Sequence, residues 1–266
     1  MQQGSVLGRL RRGHRIWAIG AVRGEFSKLS QLHHDLSKAI LPNDRLIYLG
    51  NLIGAGSPEN NAVDEALNFR SWIIGRKWGF ASDVIFLRGA QEEMLQKLFE
   101  LQFALDPRAV LDWMIERDMA GLLGIYGMSS EDLRSAVRQN SAAITRWTSE
   151  LRHRFNNSGH QPWLSSLQHA AYSWERKILF VSRGIDPSKP LEDQSDTFWW
   201  GTGSRFEEIE HGIGEICRVI RGEDPKCMGL IERGSTISID GGCGKGGHLL
   251  AICLGKDGTL LETIKK

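Results

Sequence analysis

Ile16-Trp17-Ala18-Ile19-Gly20-Ala21-Val22-Arg23-Gly24 runs from four apolar residues straight into a glycine-flanked loop. Four apolar residues in succession, ended by glycine, are the pattern of a short strand buried on both faces. The pattern recurs at Leu46-Ile47-Tyr48-Leu49 before Gly50 and at Val84-Ile85-Phe86-Leu87, which ends near Gly89. Between the first two runs, Phe26, Leu29, Leu32, Leu36 and Ile40 recur at helical spacing until Pro42. Ala62, Ala66, Phe69 and Ile73 mark a second helix before the third run. A β-α-β-α-β order predicts parallel strands joined by right-handed crossovers, with functional loops at the carboxyl ends of the strands.

From about residue 91 to 175 the pattern is helical and polar-rich, with Trp113, Leu133, Ile144, Trp147 and Leu151 expected to point inward and Gly121, Gly124 and Gly127 breaking it into pieces. This is read as a helical insertion over the loop side of the sheet. Strand signals then dominate: Ile178 to Val181, Arg218 to Ile220, Thr236 to Ile239, Leu249 to Leu254 and Leu260 to Ile264. Gly241-Gly242-Cys243-Gly244-Lys245-Gly246-Gly247 joins two of these strands. It fails as a phosphate-binding loop, because glycine follows the lysine and no helix comes after, so a wide hairpin turn is expected.

The 266 residues carry 41% hydrophobic and 24% charged side chains, the balance of an ordinary globular protein, and a net charge of +1 sets up no whole-molecule field towards nucleic acid or acidic membrane. Arg9, Arg11, Arg12, His14 and Arg15 make the start locally basic. Such a cluster is either a phosphate- or lipid-touching arm or a solvated lead-in to the first strand, and its shortness favours the lead-in. No signal peptide and no apolar run of spanning length are visible, so a cytoplasmic protein without membrane insertion is expected. Cys217, Cys227, Cys243 and Cys253 contain no C-x-x-C pair, which argues against zinc and for reduced thiols.

The five loops after the strands each resemble a signature of the calcineurin-like phosphoesterases, specifically the bacterial serine/threonine protein phosphatase type. Gly20-Ala21-Val22-Arg23-Gly24 is similar to that family's G-D-x-H-G, and Gly50-Asn51-Leu52-Ile53-Gly54-Ala55-Gly56 to its G-D-x-x-D-R-G. Gly89-Ala90-Gln91-Glu92 resembles G-N-H-E. Val181-Ser182-Arg183-Gly184-Ile185-Asp186-Pro187 is similar to V-H-A-G-I-D-P, and Ile220-Arg221-Gly222-Glu223-Asp224-Pro225 to V-x-G-H-x-P. Order and spacing agree over nearly the whole chain. The resemblance implies one domain over residues 1–266: a four-layer α/β/β/α sandwich with its core at about 14–90 and 176–266 and the helical insertion at about 91–175.

The departures decide the expected function. Where the family has metal ligands, this chain has Ala21, Arg23, Asn51, Ala90, Gln91, Ser182 and Glu223, and Ala55 stands where an arginine would grip the phosphate. Only Glu92 survives among the polar positions. Two dications roughly 3.5–4 Å apart need a bridging anion, and neutral Asn51 is a poor one. Arg23 places a permanent cation where a neutral imidazole would bind. Phosphate monoesters need up to about 10²¹-fold acceleration, so loss of the metal pair leaves no useful remnant.

The resemblance therefore implies a pseudophosphatase: no catalytic residue, no metal and no cofactor, with a regulatory or binding role exercised through a protein partner. The alternative is a divergent metal-dependent phosphoesterase with a reduced metal site. Arg23, Arg183 and Arg221, at or near strand ends, are the candidates for an anion pocket taking a phosphorylated ligand or nucleotide. The competing reading is internal repair, with Arg23 paired to Glu223 or Arg183 to Glu92. No His falls in the five loops, and Asp186, Asp193, Asp196 and Asp240 read as turn aspartates. Phe198-Trp199-Trp200 reads as packing near the pocket wall rather than as a partner hot spot.

Overall fold

The computed structural model describes residues 6–56, 59–77 and 79–266. Strand β1 (Leu7–Arg9) opens the chain; β2 (Ile16–Ile19), helix α1 (Phe26–Ala39), β3 (Arg45–Tyr48), α2 (Ala62–Ile74) and β4 (Val84–Phe86) follow. Six helices come next: α3 (Ala90–Leu98), α4 (Pro107–Ile115), α5 (Met119–Ile125), α6 (Ser130–Gln139), α7 (Ser141–Asn157) and α8 (Gln161–Ser166). The chain then runs through β5 (Ala170–Tyr172), β6 (Ile178–Val181), the short α9 (Thr197–Trp200), β7 (Arg218–Arg221), β8 (Gly229–Arg233), β9 (Thr236–Asp240), β10 (Leu250–Leu254) and β11 (Leu260–Lys265).

Two mixed sheets result, a five-stranded one in the order β11-β10-β2-β3-β4 and a six-stranded one in the order β1-β5-β6-β7-β9-β8. Because successive side chains on a strand alternate, each buried strand feeds two cores. Ile16 and Ala18 meet Ile178, Phe180, Ile220 and Ile237 between the sheets, while Trp17 and Ile19 pack outward with Leu29, Leu32 and Leu36 of α1. Leu179, Val181 and Val219 pack on the far side against Phe198 and Trp199 of α9. Two sheets flanked by helices form the α/β sandwich that the sequence implies. The strands β2, β3 and β4 are mutually parallel, as are β6, β7 and β9. Loops leaving the carboxyl ends of both sets meet at one end of the sandwich.

Several boundaries differ from the sequence expectation. The six-stranded sheet takes β1 from before residue 14 and β5 from within the stretch read as a helical insertion. Neither three-residue strand has room to show a period. The glycine-rich segment 241–247 turns back on itself, with an antiparallel Gly241–His248 bridge at its base, but the strands it joins lie in different sheets, so it is also a crossover between layers. The basic start is a solvated lead-in only in part: Arg9, Arg12 and His14 are exposed, but the cluster is also tied to the body of the protein. Arg11 pairs with Asp83, Arg15 with Asp44, and Arg9 donates to the Trp174 carbonyl. Residues 1–5, part of the expected domain, lie outside the described residues. Among the described residues no helix is long and apolar enough to cross a membrane.

Candidate functional site

Glycine sets the geometry of the converging loops. A β-carbon on Gly20 would lie 2.3 Å from the Ile239 carbonyl oxygen, and one on Gly222 would lie 2.3 Å from Cβ of Leu49. The two sheets therefore approach here at backbone distance, which only glycine permits. The loops are stitched directly: Ala21 N–H donates to the Gly222 carbonyl at 3.0 Å, and Val22 and Arg23 N–H both donate to the Asn51 carbonyl. Arg23 and Asn51 themselves adopt left-handed backbone (φ 50° and 51°), a conformation that costs a non-glycine residue on the order of 1 kcal/mol or more.

Glu92, the surviving polar residue, is buried and holds the loops from within. Its carboxylate accepts from four backbone N–H groups, those of Asn51, Leu52, Ile53 and Gly89, at 2.8–3.1 Å. Burial pushes its pKa up, against those same N–H donors, which pull it down. Asn51 spends both ends of its amide inside the site. Its Oδ1 accepts from Gln91 N–H at 3.0 Å and its Nδ2 donates to Glu223 Oε2 at 2.9 Å.

The charge at the centre is a guanidinium. Arg23 lies across Asp240 with two bonds, Nη1 to Oδ1 at 3.1 Å and Nη2 to Oδ2 at 2.8 Å, and Nη1 also donates to the Cys243 carbonyl. Its Nη2 is 3.6 Å from Glu223 Oε1, to which Arg183 Nη1 donates at 3.2 Å. Burial pulls the Arg23 pKa down, but the hydrogen bonds and charge of Asp240 and the charge of Glu223 outweigh it, so the net shift is upward. Burial likewise pushes Asp240 up, and Arg23 with the Gly242 and Asp224 N–H groups reverses it to a net depression.

The site residues read from the sequence thus separate. Ala21, Arg23, Asn51, Ala90, Gln91, Glu92, Ser182, Arg183 and Glu223 come to one end of the sandwich; the expected Arg23–Glu223 contact is present, and Arg183 turns to Glu223 rather than to Glu92, whose oxygens are fully occupied. Arg221 is not in the cavity wall. Its guanidinium is taken by Glu207 (2.8 Å), Asp224 (3.1 Å) and the Ser238 hydroxyl (3.0 Å). Ala55 is exposed beside α5, where a β-carbon on Gly121 would come within 2.5 Å of its own.

Sequence reasoning missed Asp240, read as a turn aspartate, although it ends β9 at the same edge as the other loops. It also missed that the 241–247 crossover folds over Arg23. In front of the network lies a cavity of about 460 Å³, walled by Arg23, Arg183, Glu223 and Lys245 on one side and by Trp113, Glu116, Arg117 and Asp118, at the junction of α4 and α5, on the other. Trp200 faces Trp113 edge-on at 5.3 Å, while Phe198 and Trp199 are buried. The histidines stay outside: His33 bonds Glu65 and Tyr48, and His160 bonds Tyr126 and Asp64. No cysteine is disulfide-bonded, and burial pushes Cys243 and Cys253 up to about 12.

These residues do not fit a pair of metal ions. Ala21 and Ala90 offer no donor atom, both ends of the Asn51 amide are committed, and the two carboxylates at the centre share a guanidinium. Among the described residues, no three His, Cys, Asp or Glu side chains are grouped so as to hold a metal ion.

No family model matches the sequence, and no curated protein is similar to it at significant level. Solved structures do resemble the fold. A protein assigned as a diadenosine tetraphosphatase superposes with a TM-score of 0.57 at 15% identity, over 98% of both chains. A serine/threonine protein phosphatase of Saccharomyces cerevisiae, with similarity to human phosphatase PP5, superposes with a TM-score of 0.54 at 11% identity, over 100% of this chain and 84% of its own. Both are metallophosphatase-type folds, and at such identities the likeness establishes the architecture alone.

Proposed function

We propose that this chain is a metallophosphatase-fold protein that does not hydrolyse phosphoesters and acts by binding, as a regulatory or recognition module. One observation carries the reading: the buried Arg23 guanidinium, shared between Asp240 and Glu223, stands among the loops where the family resemblance puts metal. A fixed cation there repels a dication and occupies the carboxylates that would ligate it. Without metal, no group in the network supplies an activated water or Lewis acid to a phosphate. Incubation with an aryl phosphate and manganese is expected to give no turnover above buffer. Hydrolysis that a chelator abolishes and manganese restores would instead establish a divergent metal-dependent phosphoesterase.

Binding falls to the cavity. Arg23 is committed to Asp240, whereas Arg183 gives one hydrogen bond to Glu223 and Lys245 makes no side-chain ion pair among the described residues. An anionic group, such as a phosphate on a protein partner or a nucleotide, therefore meets Arg183 and Lys245, with the indoles of Trp113 and Trp200 beside it. Inorganic phosphate and a nucleotide panel at millimolar concentration are expected to raise the melting temperature, and no shift with any of them contradicts this anion reading.

A further inference from the structure

The opposite end of the sandwich, where β2, β3 and β4 begin, carries a different surface. Residues 9–15, 41–45 and 70–83 lead into these strands and contain eight Arg or Lys residues against two acidic ones, Asp44 and Asp83. Both acids are buried and paired, Asp44 with Arg15 and Asp83 with Arg11 and the buried Arg45, so those three cations are engaged and Arg9, Arg12, Arg70 and Arg76 carry the excess. Exposed apolar side chains stand among the cations: Leu41 at 53% exposure, Trp72 at 43%, Phe80 at 51% and Trp174 at 42%. Three of them carry a guanidinium over the ring. Arg9 covers Trp174 at 4.2 Å, Arg11 covers Phe80 at 3.8 Å and Arg76 covers Trp72 at 5.1 Å.

The segments are contiguous. Leu41, Ile73, Arg76, Gly79 and Asp83 line one shallow depression, and Arg9, Arg70, Ala81 and Ser82 line the next. Arg76 also donates to the Ile40 carbonyl, which ties the end of α2 to the loop before β3. Large apolar side chains exposed among cations on one end of a protein are the composition of an interaction surface.

We propose that this end of the molecule docks on an anionic lipid surface, with the rings and Leu41 at headgroup depth and the arginines on lipid phosphates. Three features select that occupant. Excess positive charge draws the patch to an acidic leaflet. Trp and Phe beside arginine suit the interfacial layer, where a ring is half-immersed and its polar neighbour stays wet. A single-stranded nucleic acid would stack its bases on open ring faces, and here three rings each have a face covered by the chain's own guanidinium. No helix inserts; the attachment is peripheral and independent of the cavity.

Flotation with phosphatidylglycerol-containing vesicles and with pure phosphatidylcholine vesicles tests the assignment. The whole chain is expected to float with the first and not with the second, and to be released by raised salt. Arg12 is exposed and its side chain makes no ion pair among the described residues, so Arg12→Ala should weaken binding about fivefold while leaving the melting temperature unchanged. The double variant Trp72→Ser/Phe80→Ser should weaken it about tenfold or more. Failure to float with phosphatidylglycerol, equal binding to both vesicles, or variants with unchanged melting temperature that bind like the wild type overturns the proposal. So does binding of a single-stranded oligonucleotide through the same residues without vesicle binding.

Discussion

The two ends of this sandwich spend their charge in opposite ways. At the carboxyl ends of the strands, charges other than the backbone-bound Glu92 meet an opposite one within a tight glycine framework: Arg23 with Asp240 and Glu223, Arg183 with Glu223, and Arg221 with Glu207 and Asp224. At the amino ends, cations outnumber acids and sit beside exposed rings. A net charge of +1 averages over both and conceals each. Charge at the first end serves internal cohesion, and at the second some remains beyond the Arg11, Arg15 and Arg45 ion pairs, so substitutions at the two ends should separate stability from association.

The largest stability effect is expected at Glu92. Its replacement by Ala leaves four buried N–H groups without an acceptor, and unfolding in urea should show a loss of at least about 4 kcal/mol. Asp240→Ala comes next, because Arg23 would remain in the interior with only the more distant Glu223; about 3–5 kcal/mol should be lost. The double variant Arg23→Met/Asp240→Leu should recover part of that, since an apolar pair avoids the desolvation that the ion pair incurs while still leaving the Asp224 and Gly242 N–H groups without their acceptor. If the double variant is as unstable as the single, the pair does more than neutralise itself.

Acid should weaken the cavity end before the opposite one. The folded-state pKa of Asp240 is depressed, so its contribution is complete above the ordinary carboxylate range and disappears as pH falls through that range to the lower folded value. In Asp240→Asn the acid limb of the stability profile should be shallower, whereas Arg12→Ala should leave it unchanged. The smallest effect is expected at Ser182, whose buried hydroxyl has no hydrogen-bond partner among the described residues. Ser182→Ala should be neutral or slightly stabilising in thermal melts, and a loss above about 1 kcal/mol would reveal an unrecognised partner.

Much of the fold was legible because its central strands are buried on both faces. Ile16–Ile19 and Ile178–Val181 appear in the sequence as unbroken apolar runs and in the structure with the same limits. Strand β8 was missed because Gly229–Arg233 is an edge strand with exposed Glu232 and Arg233, and so lacks a buried run. The loop glycines were legible for a related reason, since close backbone approach leaves one residue type. The partner of Arg23 was not. An aspartate before two glycines looks like any turn, and only the crossing of β9 and β10 between sheets brings the 241–247 segment over the site.

Metal content of the chain purified from manganese-supplemented medium, with no chelator at any step, bears most directly on the claim that Arg23 stands in for bound cations. Elemental analysis should find no stoichiometric manganese, iron or zinc, and Arg23→His should be needed before any metal is retained. Two ions per chain in the unaltered protein would contradict that claim outright.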